Sequence, residues 1–273
     1  MRTSSILISG AVAAVAVAGS AMASAVTIYD SISGAGGVGV LDGSYPSLGF
    51  QATQTAEFGD RISFGGSART LATATFTMVN WARYEDYNVG GQYYGSGQWA
   101  GNGFNHSFTL NLYEAGTGGS RGNLITSVTE TKFISYRPTG WSFNGYAQNI
   151  SFDLSSLNVA LPESIVWGLA YNTQTWGSSP TGVNGPYNSL NMGLNDYANG
   201  GISVGSTDLD TVFWKTATAA WYSDGGAAGV NVFRQDSGWA GYNPMASFTA
   251  VPAPGAMALL GAAGLVGGRR RRA

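Results

Sequence analysis

The chain has no cysteine. An oxidising compartment therefore does it no harm, and no disulfide can contribute to its stability. Charge is scarce as well. Asp, Glu, Lys and Arg make up 10% of the 273 residues, where an ordinary globular chain carries roughly a quarter. His106 is the one histidine, so imidazole chemistry has a single candidate. Long apolar runs are missing too. Neither Ile6–Ala18 nor Gly255–Gly268 reaches the ~20 residues a stable membrane helix needs.

What is present begins with the two ends. Met1–Ala25 reads as an export signal: Arg2, then the apolar run Ile6–Ala18, then the small-x-small sites Ala21-Met22-Ala23 and Ala23-Ser24-Ala25. Cleavage is expected after Ala23 or Ala25. The other end, Val251–Ala273, reads VPAPGAMALLGAAGLVGGRRRRA. Fourteen helical residues from Gly255 to Gly268 would reach about 21 Å, short of an apolar bilayer core of about 30 Å. Pro252 and Pro254 bar a helix from extending upstream. Arg269, Arg270, Arg271 and Arg272 would stay on the cytoplasmic side. A short apolar plug with a charged stop suits a signal that halts in a membrane and is then processed.

This tail resembles a PEP-CTERM sorting signal. The resemblance rests on Val251, Pro252, Ala253, Pro254 and Gly255, the apolar run and the arginine cluster, in that order. Ala253 stands where the namesake motif has Glu, as in the Pro-Ala-Pro-Gly variant. The resemblance implies export, processing by the membrane protease-transpeptidase exosortase near Pro252–Pro254, and a mature form at the cell surface or outside it. It implies general secretion machinery and exosortase as partners, and membrane contact only through the tail before processing. It implies no activity for the body of the protein.

The body, residues 26–250 between the signal (1–25) and the sorting tail (251–273), is long enough for one β domain. Five of the thirteen basic residues are Arg2 and Arg269–Arg272; eight then remain against fifteen acidic ones, a net of −7. That sign argues against nucleic acid or anionic lipid as a partner. Glycine, 41 of 273 residues, is about twice as frequent as usual. Period-two alternation marks strands at Thr70–Trp81, Phe108–Tyr113, Asn149–Leu154 and Ser164–Tyr171. Further candidates are Val26–Ile32, Arg61–Phe64, Leu124–Phe133, Thr211–Trp214 and Ala246–Val251. No body segment carries a helical stripe. The expectation is a single all-β domain, an antiparallel β-sandwich or jelly roll of nine or ten short strands. The stretch Glu57–Trp81 also resembles the body of many tail-sorted surface proteins, in which a Gly-Asp pair opens a strand and an Arg-bearing turn leads into a long one.

Several motifs match by pattern without the context their chemistry needs. Gly34–Gly39 fits GxGxxG, but VLDGSYPSLGF follows instead of a helix, so a loop is expected. Gly118–Gly122 and Gly201–Gly205 fit GxSxG, yet both sit among strands and loops, and a triad would need His106 to converge with them. His106 itself is expected in a loop, making a local hydrogen bond. Asp208 and Asp210 would lie on one side of an extended segment, near Asp196, Asp224 and Asp236 on loops. Oxygen ligands suit a structural Ca²⁺, the one cofactor considered; solvated acids are the alternative. No catalytic residue is assigned.

The aromatic residues remain. Tyr93, Tyr94, Trp99 and Phe104 fall in the Gly-rich stretch Asn88–Asn105. Trp176 and Tyr187 follow the strand Ser164–Tyr171. Trp221, Tyr222, Trp239 and Tyr242 fall in the last long loops. Such rings either fold back over the ends of the sandwich or offer faces for sugar rings to stack on. Tyr93, Tyr94, Trp99, Trp221 and Trp239 are the candidates for the second role. Two main functions follow: a non-catalytic structural protein of the cell surface, matrix or biofilm, or a module that binds exopolysaccharide. A glycoside hydrolase would need a carboxylate pair, and the sequence names none.

Overall fold

A computed structural model describes residues 24–32, 39–40, 46–87, 103–137, 145–196, 201–208, 210–217, 230–239 and 241–252. Among these residues fifteen strands form two antiparallel sheets, so the chain is an all-β sandwich.

The first sheet has eight strands. They are β1 (Val26–Asp30), β2 (Gly39–Val40), β3 (Ser47–Gly49), β5 (Thr70–Asn80), β8 (Tyr146–Asp153), β10 (Leu190–Asp196), β14 (Tyr242–Pro244) and β15 (Ala246–Val251). β5 organises it. One edge of β5 pairs with β8; the other pairs first with β15 and then with β10. The second sheet has seven strands: β4 (Thr55–Ser63), β6 (Gly103–Ala115), β7 (Arg121–Ser135), β9 (Ser164–Tyr171), β11 (Ser206–Thr207), β12 (Thr211–Thr216) and β13 (Arg234–Ser237). The one α-helical turn among the described residues is Tyr84–Tyr87.

The alternation read from sequence sets which side chains meet between the sheets. Ala74, Phe76 and Met78 of β5 point inwards, as do Phe108, Leu110 and Leu112 of β6, and all are buried. Phe76 packs 4.9 Å from Trp167 of β9 and 5.9 Å from Phe152 and Phe248, measured between ring centroids. Phe50 stacks on Tyr171 at 3.8 Å. On the outer face the hydroxyls pair with one another: Thr73 with Thr249, and Thr75 with Ser151.

Register gives the sandwich a direction. Val251 pairs with Thr70 at the start of β5, and Val26 pairs with Ala250. The first and last strands therefore meet at one end, here the proximal end. The opposite, distal end holds Asn80 and Tyr146 of the first sheet, and Gly103, Ser135 and Tyr171 of the second.

Four elements differ from the sequence reading. β10 is a strand outside the sequence candidates. β4 extends well upstream of Arg61, so Gly59-Asp60 sits inside the strand rather than opening it. Arg69 does stand in a turn that leads into the long β5. β7 runs to fifteen residues because β6 pairs along most of it. Asp236 lies on β13 and Asp196 on β10, not on loops.

Candidate functional site

The distal end carries the longest described connection, residues 172–189, between β9 and β10. It holds its own shape. The Thr173 and Trp176 backbones close a tight turn, with Thr173 N–H donating to the Trp176 carbonyl at 2.9 Å. Asn188 accepts from Gln174 N–H at 2.8 Å and donates its amide to Gln174 and Asn184. The Tyr187 hydroxyl donates to the Val183 carbonyl at 2.7 Å. Gln51, in the turn before β4, donates to Thr175 at 3.2 Å. No residue from Ser164 to Asn195 is charged.

His106 supports this loop from below. It sits on β6, faces the core and is buried, which corrects the expected loop position and local bond. Its Nε2 lies 2.8 Å from the Asn172 carbonyl, which can only accept, so this nitrogen carries the proton. The ring stacks on Tyr187 at 5.4 Å. Burial lowers its pKa to about 4 from the usual 6.5, opposed by the bond to Asn172. A histidine so placed stays neutral at pH 7 and serves the fold.

A second polar centre lies on the outer face of the second sheet. The tip of the β6–β7 hairpin reaches β13, where Gln235 N–H donates to the Gly119 carbonyl at 2.8 Å. One sheet curls into a half-barrel, and Tyr113, Val166, Phe213 and Phe233 form a small separate core on this face. Glu57 is buried beside them. Its Oε1 accepts from Asn111 and from the Tyr113 hydroxyl, both at 2.9 Å. Gly168 makes room for it: a Cβ there would stand 2.3 Å from Glu57 Oε1. Burial raises the Glu57 pKa, and the two hydrogen bonds oppose the rise. Asp60, three residues on, points to the opposite face. It accepts from Thr207 at 2.6 Å and from Arg61 N–H at 2.7 Å, and complete burial raises its pKa well above the usual value. These two carboxylates therefore do not converge as a glycosidase pair would. A groove of about 780 Å³ lies between the hairpin tip and β13, bordered by Ser120, Arg121, Asn231 and Gln235.

The remaining candidates divide by position. Trp239 leans on Phe58 and Trp214 at 5.3 and 5.5 Å, and its indole N–H donates to Asp236. It closes the core at this edge, which corrects the expectation of an open platform. Asp208 lies 3.8 Å from Arg61, and Asp210 accepts from Gly241 N–H. Asp210 adopts φ 60°, so the segment turns instead of extending. Among the described residues no three acidic, His or Cys side chains group as a metal site. Gly118–Gly122 is the hairpin tip, and Ser203 donates to Asp30. Tyr93, Tyr94, Trp99, Trp221, Tyr222, Asp224, Gly34–Val38, Ala23, Ala253, Pro254, Gly255 and Arg269–Arg272 lie outside the described residues. The described flanks of 88–102 and 218–229 are nevertheless fixed at the distal end, by Gly103 pairing with Ser135 and by Ala217 N–H donating to the Gln54 carbonyl.

No protein-family model, curated protein or solved structure matches the chain.

Sequence reasoning missed Glu57 and the polar set Gln174, Asn184 and Asn188. A charge-free stretch of thirty-two residues from Ser164 to Asn195 was the available signal for the latter. Glu57 had none, because an acid in a strand usually faces water.

Proposed function

We propose that the chain is an exported, non-catalytic structural protein of the cell surface, matrix or biofilm, sorted by exosortase through its C-terminal tail. One observation supports this most. β1 begins at Val26, directly after the second cleavage site, and β15 ends at Val251, where the sorting motif starts. The described strands thus begin and end where two processing enzymes would cut. Only Pro252–Pro254 separate the sheet from the apolar run. Trimming at both points would remove none of the described strands. The secretion machinery and exosortase are the partners of this reading, and the acidic balance disfavours nucleic acid. Neutral replacement of Arg269–Arg272 tests it by fractionation. The tail should slip, and unprocessed protein should reach the medium; sorting identical to wild type contradicts the reading.

A second reading, a module for exopolysaccharide, draws on the two ends of the fold. The segments that bear Tyr93, Tyr94, Trp99 and Trp221 start and finish at the distal end, away from the tail. A domain held through its proximal end would present that end outwards. Trp99→Ala and Trp221→Ala should weaken retention on exopolysaccharide without unfolding the domain, and equal retention removes the reading.

A further inference from the structure

The loop 172–189 combines three properties that rarely coincide. It is long, yet its backbone and carboxamides are tied by the bonds described above. Long ordered loops with their own internal bonding commonly carry function. It has no charge anywhere along it, in a protein whose body has a net of −7. Its exposed surface is nonetheless mostly polar, with Thr175, Ser178, Ser179 and Asn184 open to solvent beside Pro180 and Val183.

Trp176 decides what such a surface fits. Tyr187 is occupied internally, by its stacking on His106 and its bond to Val183. Trp176 is half-buried, and among the described residues neither its ring nor its indole N–H has a partner. Its backbone is fixed by the turn with Thr173, whose hydroxyl also accepts from Trp176 N–H at 3.2 Å. A flat apolar face edged by an indole N–H and ringed by hydroxyls and a carboxamide complements a pyranose: C–H bonds on one face, hydroxyls around the rim. An anionic or cationic ligand would find no counter-charge on the loop. A loop already ordered also loses little entropy on binding.

We propose that the loop 172–189 is a binding site for a neutral polysaccharide, with Trp176 as the stacking face and Thr175 and Asn184 among its hydrogen-bonding groups. The proposal rests on the exopolysaccharide reading and places it on residues of its own, apart from Trp99 and Trp221. Being uncharged, the site binds independently of salt, unlike an electrostatic patch.

The test is affinity electrophoresis of the mature domain through gels containing a neutral β-glucan, mannan or galactan, with alginate as the acidic comparator, at 50 and 500 mM NaCl. Wild type should be retarded by a neutral polymer equally at both salt levels. Trp176→Ala should weaken that retardation about tenfold, and Trp176→Phe, which keeps a flat face, should retain most of it. Thermal unfolding of both variants verifies the fold. If wild type is retarded but Trp176→Ala behaves identically, this site is wrong while carbohydrate binding elsewhere stands. Retardation by alginate alone, lost at high salt, also overturns the site. Absence of retardation in every gel overturns both the site and the exopolysaccharide reading.

Discussion

Val26 faces Ala250 across the antiparallel pair of β1 and β15. β15 lies between β1 and β5, and its Ala246, Phe248 and Ala250 are fully buried. Phe248 touches Tyr29, Phe64, Phe76 and Trp167. The last strand of the domain is therefore an interior strand, and the core cannot close until it has docked. A chain ending at Pro252 should fold as stably as the full body, whereas a chain ending at Met245 should not fold. Circular dichroism and thermal unfolding of the two would decide it, and native unfolding of the shorter chain would contradict this reading of the sheet.

At the centre of the sandwich, Phe76 contacts Trp167 from the other sheet. Phe76→Ala should cost about 3–5 kcal/mol, the usual range for deleting a buried aromatic ring. Denaturant melts would measure it, and a loss below ~1 kcal/mol would place the core elsewhere.

Trp239→Ala separates packing from sugar binding. Loss of its contacts with Phe58 and Trp214 and of its bond to Asp236 should cost about 3 kcal/mol. Retention on polysaccharide should not change once the variant is held below its melting temperature. Weakened retention with unchanged stability would restore Trp239 as a platform.

Two buried groups give opposite dependences on pH. Burial depresses the His106 pKa to about 4. The unfolded chain therefore takes up a proton near pH 6.5 that the folded one refuses. Stability is intact above pH 6.5 and falls as the pH drops towards 4, by on the order of 3 kcal/mol. His106→Gln keeps a donor near Asn172 without this titration and should flatten that loss. A variant that still loses stability over the same range would assign the titration to another group.

Glu57 acts in the other direction. Its folded pKa is raised by burial, so the folded state holds the proton more tightly and stability falls as pH rises above about 4.5. Glu57→Gln keeps an acceptor for Asn111 and Tyr113 and removes the charge. It should melt higher than wild type at pH 8 and close to wild type at pH 4. Lower melting at pH 8 would mean that the carboxylate is stabilised by its surroundings.

The parts of the fold legible in the sequence were those where apolar side chains alternate without interruption by charge. Thr70–Asn80 and Ser164–Tyr171 could be read almost to the residue, because Ala74, Phe76 and Met78 of β5 and Ile165, Trp167 and Leu169 of β9 place apolar side chains at alternate positions against the main core. β4 was largely missed for the opposite reason. Both of its faces are buried, and Glu57 and Asp60 interrupt the apolar pattern with acids satisfied by distant partners. β10 does alternate, Leu190, Met192 and Leu194 against Asn191, Gly193 and Asn195, but it follows a long loop and contains a glycine that reads as a turn. The distal loop could be located from sequence, but its internal bonding could not, since Gln174 and Asn188 find each other fourteen residues apart. That the first and last described strands meet is likewise invisible without the register of β1 on β15.

The most direct test of the account is the intact mass of the protein recovered from the surface and medium of its native host. Export with trimming at both ends predicts a species that starts between Ser24 and Val26 and ends near Pro252–Pro254, with any attached group visible as added mass. A cytosolic species of 28.3 kDa, retaining Met1 and Arg269–Arg272, would contradict it.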